Sequence, residues 1–487
     1  MASTRTGPIT WDPAEVPELV GWDRQLPPIR IPVTGNIPTT RRLRALVDSA
    51  AFQRLRRVRQ TGPSYLVYPG AVHTRFEHSL GTYEMARRLV LALLTRSRRT
   101  GRGGDDVPDA PGGADGADAP GEGRGGDLLT PDDVATFLVA ALLHDVGHYP
   151  FSHTIEEIPD DDPVLAGRLP RHEERGAAII RENPEIRQIL TDLWGVDPAR
   201  VCQVIREEPA PGDAATARLA NLLAGPINPD RLDYLARDSE HIGVPYGRGI
   251  DYQRLLDAVC WTPDGMGVGV TPKGISAVET LIFASYIMYR DVYWHHTGRI
   301  AAAMLRRALT EALRAGAFAI DDFIDLDDEQ ALALLRGVPH PVTRDLVERL
   351  TGAGRRLYKR VARLSYPRAL AGEYGMEIRD LVRAGYWERE AWSRDACRAL
   401  ARRLARPVEE HHLLVDIVGG GKELFFEVPV VAGDRVYTTA DPEVSVLAPN
   451  IARNFREQAK YVLLAAPAEL ADAFRAMLGL PAGWQPS

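Results

Sequence analysis

The sequence predicts a mainly α-helical protein with a small C-terminal lobe in which helices and short strands are mixed. Apolar residues recur with helical spacing through most of the chain, for example over residues 78–94. After Pro407, short apolar runs rich in β-branched and aromatic residues alternate with glycine-containing breaks such as 419–421. With 487 residues, the chain is long enough for one large domain or two of ordinary size.

The first third of the chain contains two segments of unusual composition. Residues 1–40 are rich in proline and show little helical periodicity, so we expect an N-terminal arm that lies on a surface. Residues 101–127 contain ten glycines, no aromatic residue, seven acidic residues and two basic ones. Because such a composition cannot bury enough apolar surface to order itself, we expect a disordered insertion there.

Between and after these segments, the pattern predicts a series of helices that form one main domain over residues 41–316. Thr130-Pro131-Asp132-Asp133 is a typical start signal for the helix that follows it. The predicted helical segments are 41–58 (one or two short helices), 78–94, 128–145, 175–182, 199–207, 214–223 and 275–313.

The C-terminal lobe is expected over residues 317–487. It begins with helices over 321–335 and 343–350. Three short strands are predicted over 413–418, 423–428 and 435–437, followed by a last helix over 452–464.

Composition excludes several classes of protein. We find no run of 18 uncharged apolar residues and no signal-peptide pattern at the N-terminus. The three cysteines are few and far apart, which is typical of reduced core residues in a cytoplasmic protein. Of the net charge of −7, residues 101–127 carry −5, so the remainder is nearly neutral and argues against a dedicated nucleic-acid binder.

Four short stretches carry side chains suited to one metal site. They are Arg75-Phe-Glu-His78, His144-Asp145, His172-Glu173 and Asp230-Arg231-Leu-Asp233-Tyr234. Mixed imidazole and carboxylate ligation suits a divalent first-row metal. The His144-Asp145 pair ends an apolar run, and an aspartate buried at the end of such a helix is costly unless a cation neutralises it.

Together these motifs resemble the HD-domain phosphohydrolases, and within them the deoxynucleoside triphosphate triphosphohydrolases of the vertebrate SAM-and-HD-domain type and their bacterial relatives. The resemblance covers residues 43–299, roughly half of the chain. It implies an HD-domain helical core for the main domain. It also implies that the metal ligands are His78, His144, Asp145 and Asp230. The metal itself stays open among Mn, Fe, Co, Ni, Zn and Mg. Taken alone, Asp230 would be better interpreted as a helix N-cap, and its match to the family motif favours a ligand.

The resemblance further assigns catalytic roles. His153 matches the family's general acid or proton shuttle, which a carboxylate three residues later orients. Here that carboxylate is Glu156 instead of the aspartate of the family, so we expect a longer contact. His148, His172 and Glu173 match residues beside the phosphates, although His172 in Arg-His-Glu-Glu-Arg is also consistent with a solvated helix start.

The same resemblance implies a pocket for a deoxynucleotide. Arg75 and Arg231 match cations for the polyphosphate. Gln60 and Asp238 match residues that hold the sugar 3′-hydroxyl, and Tyr293 matches a tyrosine that leaves no room for a 2′-hydroxyl. The whole predicted set is Gln60, Arg75, Arg231, Tyr234, Asp238, Tyr293 and His295. Thr61 departs from the family's leucine, which leaves the rejection of ribonucleotides open.

Asp48, Gln53 and Arg56 match the family's site for an activating guanine nucleotide, although an amphipathic helix with exposed polar residues accounts for them equally well. The resemblance implies a homo-oligomer, either a dimer or a tetramer, with GTP or a dNTP as possible effector. The expected activity is metal-dependent hydrolysis of a dNTP to deoxynucleoside and triphosphate. The alternatives are an HD phosphohydrolase of a monophosphate or modified nucleotide, and a nucleic-acid-binding nuclease.

Overall fold

The computed structural model describes residues 11–20, 26–101, 128–158, 165, 167–419, 424 and 427–481, without the side chains of 97–101. The predicted insertion, apart from Gly101, and half of the predicted strand 423–428 therefore lie outside the described residues. The mainly α fold class is confirmed.

The helices of the N-terminal segment and the main domain, together with the turns between them, carry the residues of the predicted site. They are α1 (Pro17–Val20), α2 (Arg41–Asp48), α3 (Ala50–Arg54), α4 (Arg75–Gly101), α5 (Pro131–Leu143), α6 (His153–Glu156), α7 (His172–Glu182), α8 (Pro184–Gln188), α9 (Pro198–Arg206), α10 (Ala214–Ala224), α11 (Pro229–Ile242), α12 (Tyr252–Ala258), α13 (Ile275–Ile287) and α14 (His296–Arg314).

The C-terminal lobe adds eight described helices and most of the strands. The helices are α15 (Asp321–Ile324), α16 (Asp328–Gly337), α17 (Pro341–Thr351), α18 (Tyr366–Leu370), α19 (Met376–Arg383), α20 (Tyr386–Leu404), α21 (Leu447–Asn454) and α22 (Ala468–Met477). The strands of the whole chain are β1 (Ile29–Ile31), β2 (Gly35–Ile37), β3 (Val259–Trp261), β4 (Val268–Val270), β5 (Lys359–Ser365), β6 (Leu414–Val418), β7 (Pro429–Ala432), β8 (Arg435–Thr438) and β9 (Tyr461–Ala466).

The described part of the N-terminal segment is packed against the main domain. It contains α1 and the antiparallel hairpin β1–β2. Val16 and Leu19 are buried, and the Trp11 indole donates to the Leu129 carbonyl at 2.8 Å. Apolar contacts therefore hold this segment in place.

Three apolar cores support the molecule. One lies among α2, α4, α5, α7, α9 and α10, and a second packs α11, α13 and α14 against α16, α17 and α21. The third lies between the sheet β5–β9–β6 and helices α19, α20 and α22. The second core joins the main domain to the C-terminal lobe.

The C-terminal lobe departs from the sequence prediction at β9. The segment expected as a helix over 452–464 ends at Asn454 in α21, passes through a π-helical turn, and then forms β9. This strand is the centre of an antiparallel sheet, with β5 on one side and β6 on the other. All six of its residues are buried, so it carries no alternation that would mark a strand in the sequence.

The predicted long helical region 275–313 is interrupted. A π-helical turn over Met288–Tyr293 follows α13, and α14 begins only at His296. Such turns are frequent at functional sites. Here the turn carries Tyr293, one of the predicted substrate residues.

No helix within the described ranges is both long and apolar enough to span a bilayer.

Candidate functional site

Helix α5 carries the His-Asp pair into the interior. Thr130 caps its start by accepting from the Asp133 amide, and every residue from Asp133 to Leu143 is buried. His144 closes the helix, and Asp145 follows with 2 % of its surface exposed. The burial of this helix on all sides fixes both side chains against α4 and α11.

The four predicted metal ligands lie together. His78 Nε2 lies 2.9 Å from Asp230 Oδ1 and 3.6 Å from Asp145 Oδ2. His144 Nε2 lies 3.3 Å from Asp145 Oδ1 and 3.8 Å from Asp230 Oδ1. The ligand atoms of His78, His144 and Asp230 lie within 4.8 Å of one another, and Asp145 lies beside both imidazoles. Asp230 is not the N-cap of α11, because Asn228 accepts the capping hydrogen bond there.

The outer nitrogens of both imidazoles are already engaged. His78 Nδ1 lies 2.9 Å from Asp233 Oδ2, and His144 Nδ1 lies 2.9 Å from the Ala141 carbonyl. Since an acceptor holds each Nδ1–H, each imidazole in its neutral form carries its lone pair on Nε2, which faces the centre. Within the described residues, neither buried Nε2 makes a hydrogen bond. This arrangement of a ligand imidazole and its outer acceptor is typical of metal sites.

The electrostatics of the centre favour a cation. Burial alone would lower the pKa of His78, but the carboxylates of Asp230 and Asp233 outweigh it and raise that pKa to about 10. Burial opposes ionisation of Asp145 and Asp230 too, yet Arg75 and His144 hold the pKa of Asp145 well below its usual range. Imidazoles likewise lower the pKa of Asp230. A divalent metal would displace the proton from His78 and neutralise the carboxylates.

A second group of titratable side chains adjoins this centre. His148 Nε2 lies 3.2 Å from Asp145 Oδ1, and its ring stacks on that of His172 with centroids 4.0 Å apart. Glu156 joins the other two histidines: its Oε1 lies 2.8 Å from His172 Nδ1, and its Oε2 lies 2.7 Å from His153 Nδ1. The expectation of a longer contact between His153 and Glu156 is therefore wrong, because the extra methylene lets the carboxylate bridge both rings.

The pKa values of the side chains in this second group shift in different directions. Burial opposes a charge on His172 and on Glu156, but each compensates the other: the pKa of His172 is raised and that of Glu156 is lowered. Burial and Arg75 lower the pKa of His148, which is neutral at physiological pH. His153 is 58 % exposed and stands at the mouth of the site. His172 is only 13 % exposed, so the interpretation as a solvated helix start is wrong.

Of the remaining predicted phosphate residues, Arg75 and Glu173 lie beside this group, and Arg231 is held near the start of α11. Arg75 donates to Asp145 Oδ2 at 2.7 Å and to Ser152 Oγ at 2.9 Å. Glu173 Oε2 lies 3.4 Å from His172 Nδ1, and Arg231 donates to the Pro226 carbonyl at 3.2 Å. Arg75 is therefore fixed against the metal ligands.

The predicted sugar residues gather around Asp238. Tyr293 donates from its hydroxyl to Asp238 Oδ2 at 2.6 Å, and His73 Nε2 lies 2.7 Å from Oδ1. The ring of Tyr234 meets that of Tyr293 edge to face, with centroids 6.2 Å apart. Gln60 Oε1 is buried and has no hydrogen-bond partner among the described residues. His295 instead caps α14, since its Nδ1 accepts from the Thr297 amide at 3.3 Å.

The predicted effector residues form a surface group at α2 and α3. Gln53 donates to the Val47 carbonyl at 2.7 Å and accepts from Arg56 Nε at 2.7 Å. The Arg56 guanidinium lies 3.7 Å from the centroid of the Phe76 ring. Asp48 is exposed and lies 3.4 Å from Arg44.

Sequence reasoning missed several supporting residues. Asp233 orients His78, and His73 orients Asp238. Arg237 holds Asp233 through two hydrogen bonds of 2.8 Å. The spacing of Asp230 and Asp233, three residues apart on one helical face, was a usable signal for a ligand and its support.

Two protein-family models match this chain. Residues 75–240 match the HD domain, and residues 250–480 match the HD associated region. The first range contains all four predicted metal ligands. The HD fold is that of metal-dependent phosphohydrolases, so the resemblance noted in the sequence is confirmed.

Individual relatives agree with that assignment. An uncharacterised protein of Methanocaldococcus jannaschii is 32% identical over 324 residues, 66% of this chain and 56% of its own. The deoxynucleoside triphosphate triphosphohydrolase SAMHD1 of Homo sapiens is 26% identical over 322 residues, 61% of this chain and 45% of its own. The chain thus spans about half the length of the curated relatives it matches.

Solved structures share the whole fold. A hypothetical protein from Aquifex aeolicus has a TM-score of 0.63 and 25% identity, and the match covers 93% of this chain and 99% of that one. A phosphohydrolase from Bacteroides thetaiotaomicron has a TM-score of 0.62 at 22% identity, covering 90% of this chain and 99% of that one, which shows a common fold.

Proposed function

Because the chain belongs to the HD-domain superfamily of phosphohydrolases, we propose that it hydrolyses deoxynucleoside triphosphates to a deoxynucleoside and inorganic triphosphate. The observation that carries this proposal is the hydrogen bond of Tyr293 to Asp238. It presents a fixed, buried carboxylate to a sugar hydroxyl and sets an aromatic ring beside it. Relatives named as triphosphohydrolases of this kind support the same activity.

The metal centre would be built from His78, His144, Asp145 and Asp230. Their inward-facing Nε2 atoms and ionised carboxylates fit a divalent cation of the first row or magnesium. Such a metal, when bound, supplies a Lewis acid for a phosphoryl oxygen and lowers the pKa of bound water.

The protein's own side chains then position and protonate the substrate. Glu156 accepts from His153 Nδ1, so a His153 ring that is protonated on both nitrogens keeps its Nε2–H to donate to the leaving 5′-oxygen. Neutral His148 offers a nitrogen beside the phosphates without repelling Arg75. Asp238 accepts the sugar 3′-hydroxyl, and the Tyr293 ring occupies the space that a 2′-hydroxyl would need.

The decisive experiment is identification of the phosphate product. Purified protein with Mn²⁺ is incubated with each dNTP and each rNTP, and the products are followed by ³¹P NMR. We expect inorganic triphosphate and a deoxynucleoside from dNTPs. Release of orthophosphate or pyrophosphate from dNTPs would refute the proposal. Hydrolysis of deoxynucleoside monophosphates alone would favour the monophosphatase alternative, and cleavage of oligonucleotides would favour the nuclease.

Two variants at one position separate the roles of the tyrosine ring and its hydroxyl. Tyr293→Ala opens the space beside the sugar, so the ratio of dNTP to rNTP turnover should fall. Tyr293→Phe keeps the ring and removes only the hydrogen bond to Asp238, so the ratio should stay near that of the unaltered protein while KM rises. Tyr366→Phe, in the C-terminal lobe, is the matched control. An unchanged ratio in Tyr293→Ala would contradict the assigned role.

We propose further that Asp48, Gln53 and Arg56 bind a guanine nucleotide that promotes assembly into a dimer or tetramer. The Gln53 amide and the Arg56 guanidinium are already in contact, and Asp48 is exposed beside them. The three residues thus present a donor pair and an acceptor on one surface, as a guanine base and its phosphates require.

A further inference from the structure

A second polar cavity lies where α14 and α20 meet β6. Its volume is about 320 Å³, within the lower range of ligand pockets, which is about 300–1,000 Å³. The lining comes from both halves of the molecule, including Ala303 of α14, Ser393 of α20 and Leu414 of β6. The predicted site at His144 uses none of these residues.

The charged side chains of this cavity are mainly arginines. Four guanidiniums line it, against three carboxylates. The arginines are Arg299, Arg306, Arg307 and Arg389, and the carboxylates are Glu157, Glu390 and Asp416. Guanidinium forks are suited to bidentate contact with phosphate, and the excess of positive charge favours an anion.

Two of the arginines share their partners. Arg299 donates to both oxygens of Asp416, at 2.8 and 2.9 Å, and to Glu157 at 2.6 Å. Arg306 donates to Glu157 and to Asp416, each at 2.6 Å. The Asp416 side chain is 7 % exposed, whereas that of Glu157 is 39 % exposed. Glu157 is therefore the partner that an incoming anion displaces more readily.

If these ion pairs served only to join the two lobes, we would expect them to be tightly packed and fully paired, because unpaired buried charge is costly. Instead, the ion pairs surround the cavity. Arg307 is 4 % exposed, and its Nε has no hydrogen-bond partner within the part of the chain that the structure describes. Its two other nitrogens contact Glu311 at 2.8 Å and Glu390 at 3.0 Å. Arg307 therefore belongs to the cavity lining and keeps one buried donor that is unpaired among the described residues.

We propose that this cavity binds a small organic phosphate monoester, with its phosphate among the arginines and its organic part against Leu413, Val415 and Ala303. Binding of the phosphate in this cavity would affect the predicted catalytic residues through the adjoining backbone. Glu157 directly follows Glu156, which bridges His153 and His172. When phosphate takes over Arg299 and Arg306, Glu157 is released and α6 loses an anchor.

Binding is tested on the full chain with ribose 5-phosphate, which lacks a base for the nucleotide pocket. Isothermal titration compares the unaltered protein with Arg389→Gln and Ala303→Leu, the second of which fills the cavity without changing charge. Both should bind at least about tenfold more weakly, as expected for loss of a charge-assisted hydrogen bond or of the space itself. Arg403→Gln, an exposed position on the same helix, is the control and should bind as the unaltered protein does. Any binding of ribose 5-phosphate at the predicted metal centre should be the same in all four proteins, so it does not contribute to the differences between them.

Glu157→Gln should change the affinity in the opposite direction. It removes the competing carboxylate, so ribose 5-phosphate should bind more tightly than in the unaltered protein. Equal binding of inorganic phosphate and ribose 5-phosphate would overturn the organic part of the proposal, and binding of neutral ribose with the same affinity would overturn the role of the arginines. Unchanged affinity in both Arg389→Gln and Ala303→Leu would refute the site as a whole. Because no step of hydrolysis is measured, these results are independent of the proposed dNTP activity.

Discussion

At the scale of single residues, the orientation of His78 depends on a carboxylate outside the predicted ligand set. Asp233 is fully buried, accepts from His78 Nδ1, and is itself held by Arg237. It thereby fixes the tautomer that turns Nε2 toward Asp145 and Asp230. Removing its charge should weaken the metal ligand without removing it.

We therefore expect Asp233→Asn to bind Mn²⁺ about 10–100-fold more weakly, the usual effect of losing such a supporting group. Metal affinity is measured by competition with a chelator, and circular dichroism checks the fold. Asp192→Asn, at an exposed position, is the control. Unchanged affinity in a folded Asp233→Asn protein would show that Asp233 does not tune the centre.

The family resemblance, added to the residue types, carried the prediction of the central site. His78, His144, Asp145 and Asp230 were predicted together; the structure places Asp230 and Asp145 each in contact with both imidazoles. Supporting residues such as His73 were missed because an isolated histidine in a loop gives no spacing signal. Its partner, Asp238, lies 165 residues away in the sequence, and only the folded chain joins them.

At the scale of elements, α4 and α11 approach each other most closely at Gly81, one turn after His78. A Cβ at this position would overlap Asp233 Oδ1 and Arg237 Nη2. Gly176 of α7 is also inside a helix, but there the nearest atom to a Cβ lies 3.4 Å away, the distance of an ordinary contact. Gly176 therefore serves as the control position for a substitution at Gly81.

Gly81→Ala should lower the free energy of unfolding by about 1–3 kcal/mol, as overpacking usually does. It should also weaken metal binding, since Asp233 must move. Gly176→Ala should be neutral or stabilise by up to about 1 kcal/mol through helix propensity. Chemical denaturation and metal titration of both variants measure the difference. Equal effects of the two substitutions would contradict the close crossing.

The first residue of α16 supports the segment before His153. Phe151 and Ser152 have φ values of 62° and 55°, a left-handed conformation that is costly for residues other than glycine. Asp328 accepts from the Phe151 amide at 2.8 Å and from the Arg59 amide at 3.1 Å. A side chain of the C-terminal lobe thus stabilises a strained turn of the main domain.

Asp328 should make stability depend on pH. Its burial raises its pKa from 3.8 to about 6, although the two backbone amides oppose the shift. The folded protein therefore binds this proton more tightly than the unfolded chain. The stabilising effect of the proton is complete below about pH 4 and is lost as the pH rises through about 6. The size of the effect is about 3 kcal/mol for a shift of about two pKa units.

Asp328→Asn mimics the protonated form, so its stability relative to the unaltered protein should increase between pH 4 and pH 7. Urea denaturation of both proteins across this range provides the measurement. Asp321→Asn, at an exposed position of α15, should show no such trend. A difference between Asp328→Asn and the unaltered protein that does not change with pH would argue against a raised pKa.

The elements that were predicted poorly lack a local signal. The break between α13 and α14 contains neither proline nor glycine, so periodicity extended the helix across it. Likewise β9 is a run of buried residues flanked by helices, and a short apolar run does not distinguish a strand from a helix. Pairing with β5 and β6 decides the outcome, and that pairing is a tertiary interaction.

At the scale of the whole molecule, the two halves are joined by one apolar core and by buried ion pairs. The core packs α14 against α17, and Asp416 of β6 pairs with two arginines of α14. The division at residue 316 that the sequence predicted therefore does not imply independence. Helix α14 ends at Arg314, close to that division, but most of its length supports both halves.

The last prediction concerns assembly, and it tests the proposed nucleotide site at α2 and α3. Arg56 is exposed, donates to Gln53 at 2.7 Å, and lies against Phe76 of α4, next to the start of the helix that carries His78. A guanine nucleotide bound there would join this subunit to a second one and would lie near the start of α4. GTP or dGTP should therefore raise both the molar mass in light scattering and the rate of dNTP hydrolysis. Arg56→Ala should remove both responses, while Arg41→Ala, at an exposed arginine of α2, should retain them. A monomer at every nucleotide concentration, with undiminished activity, would refute nucleotide-driven assembly and leave the metal centre unaffected.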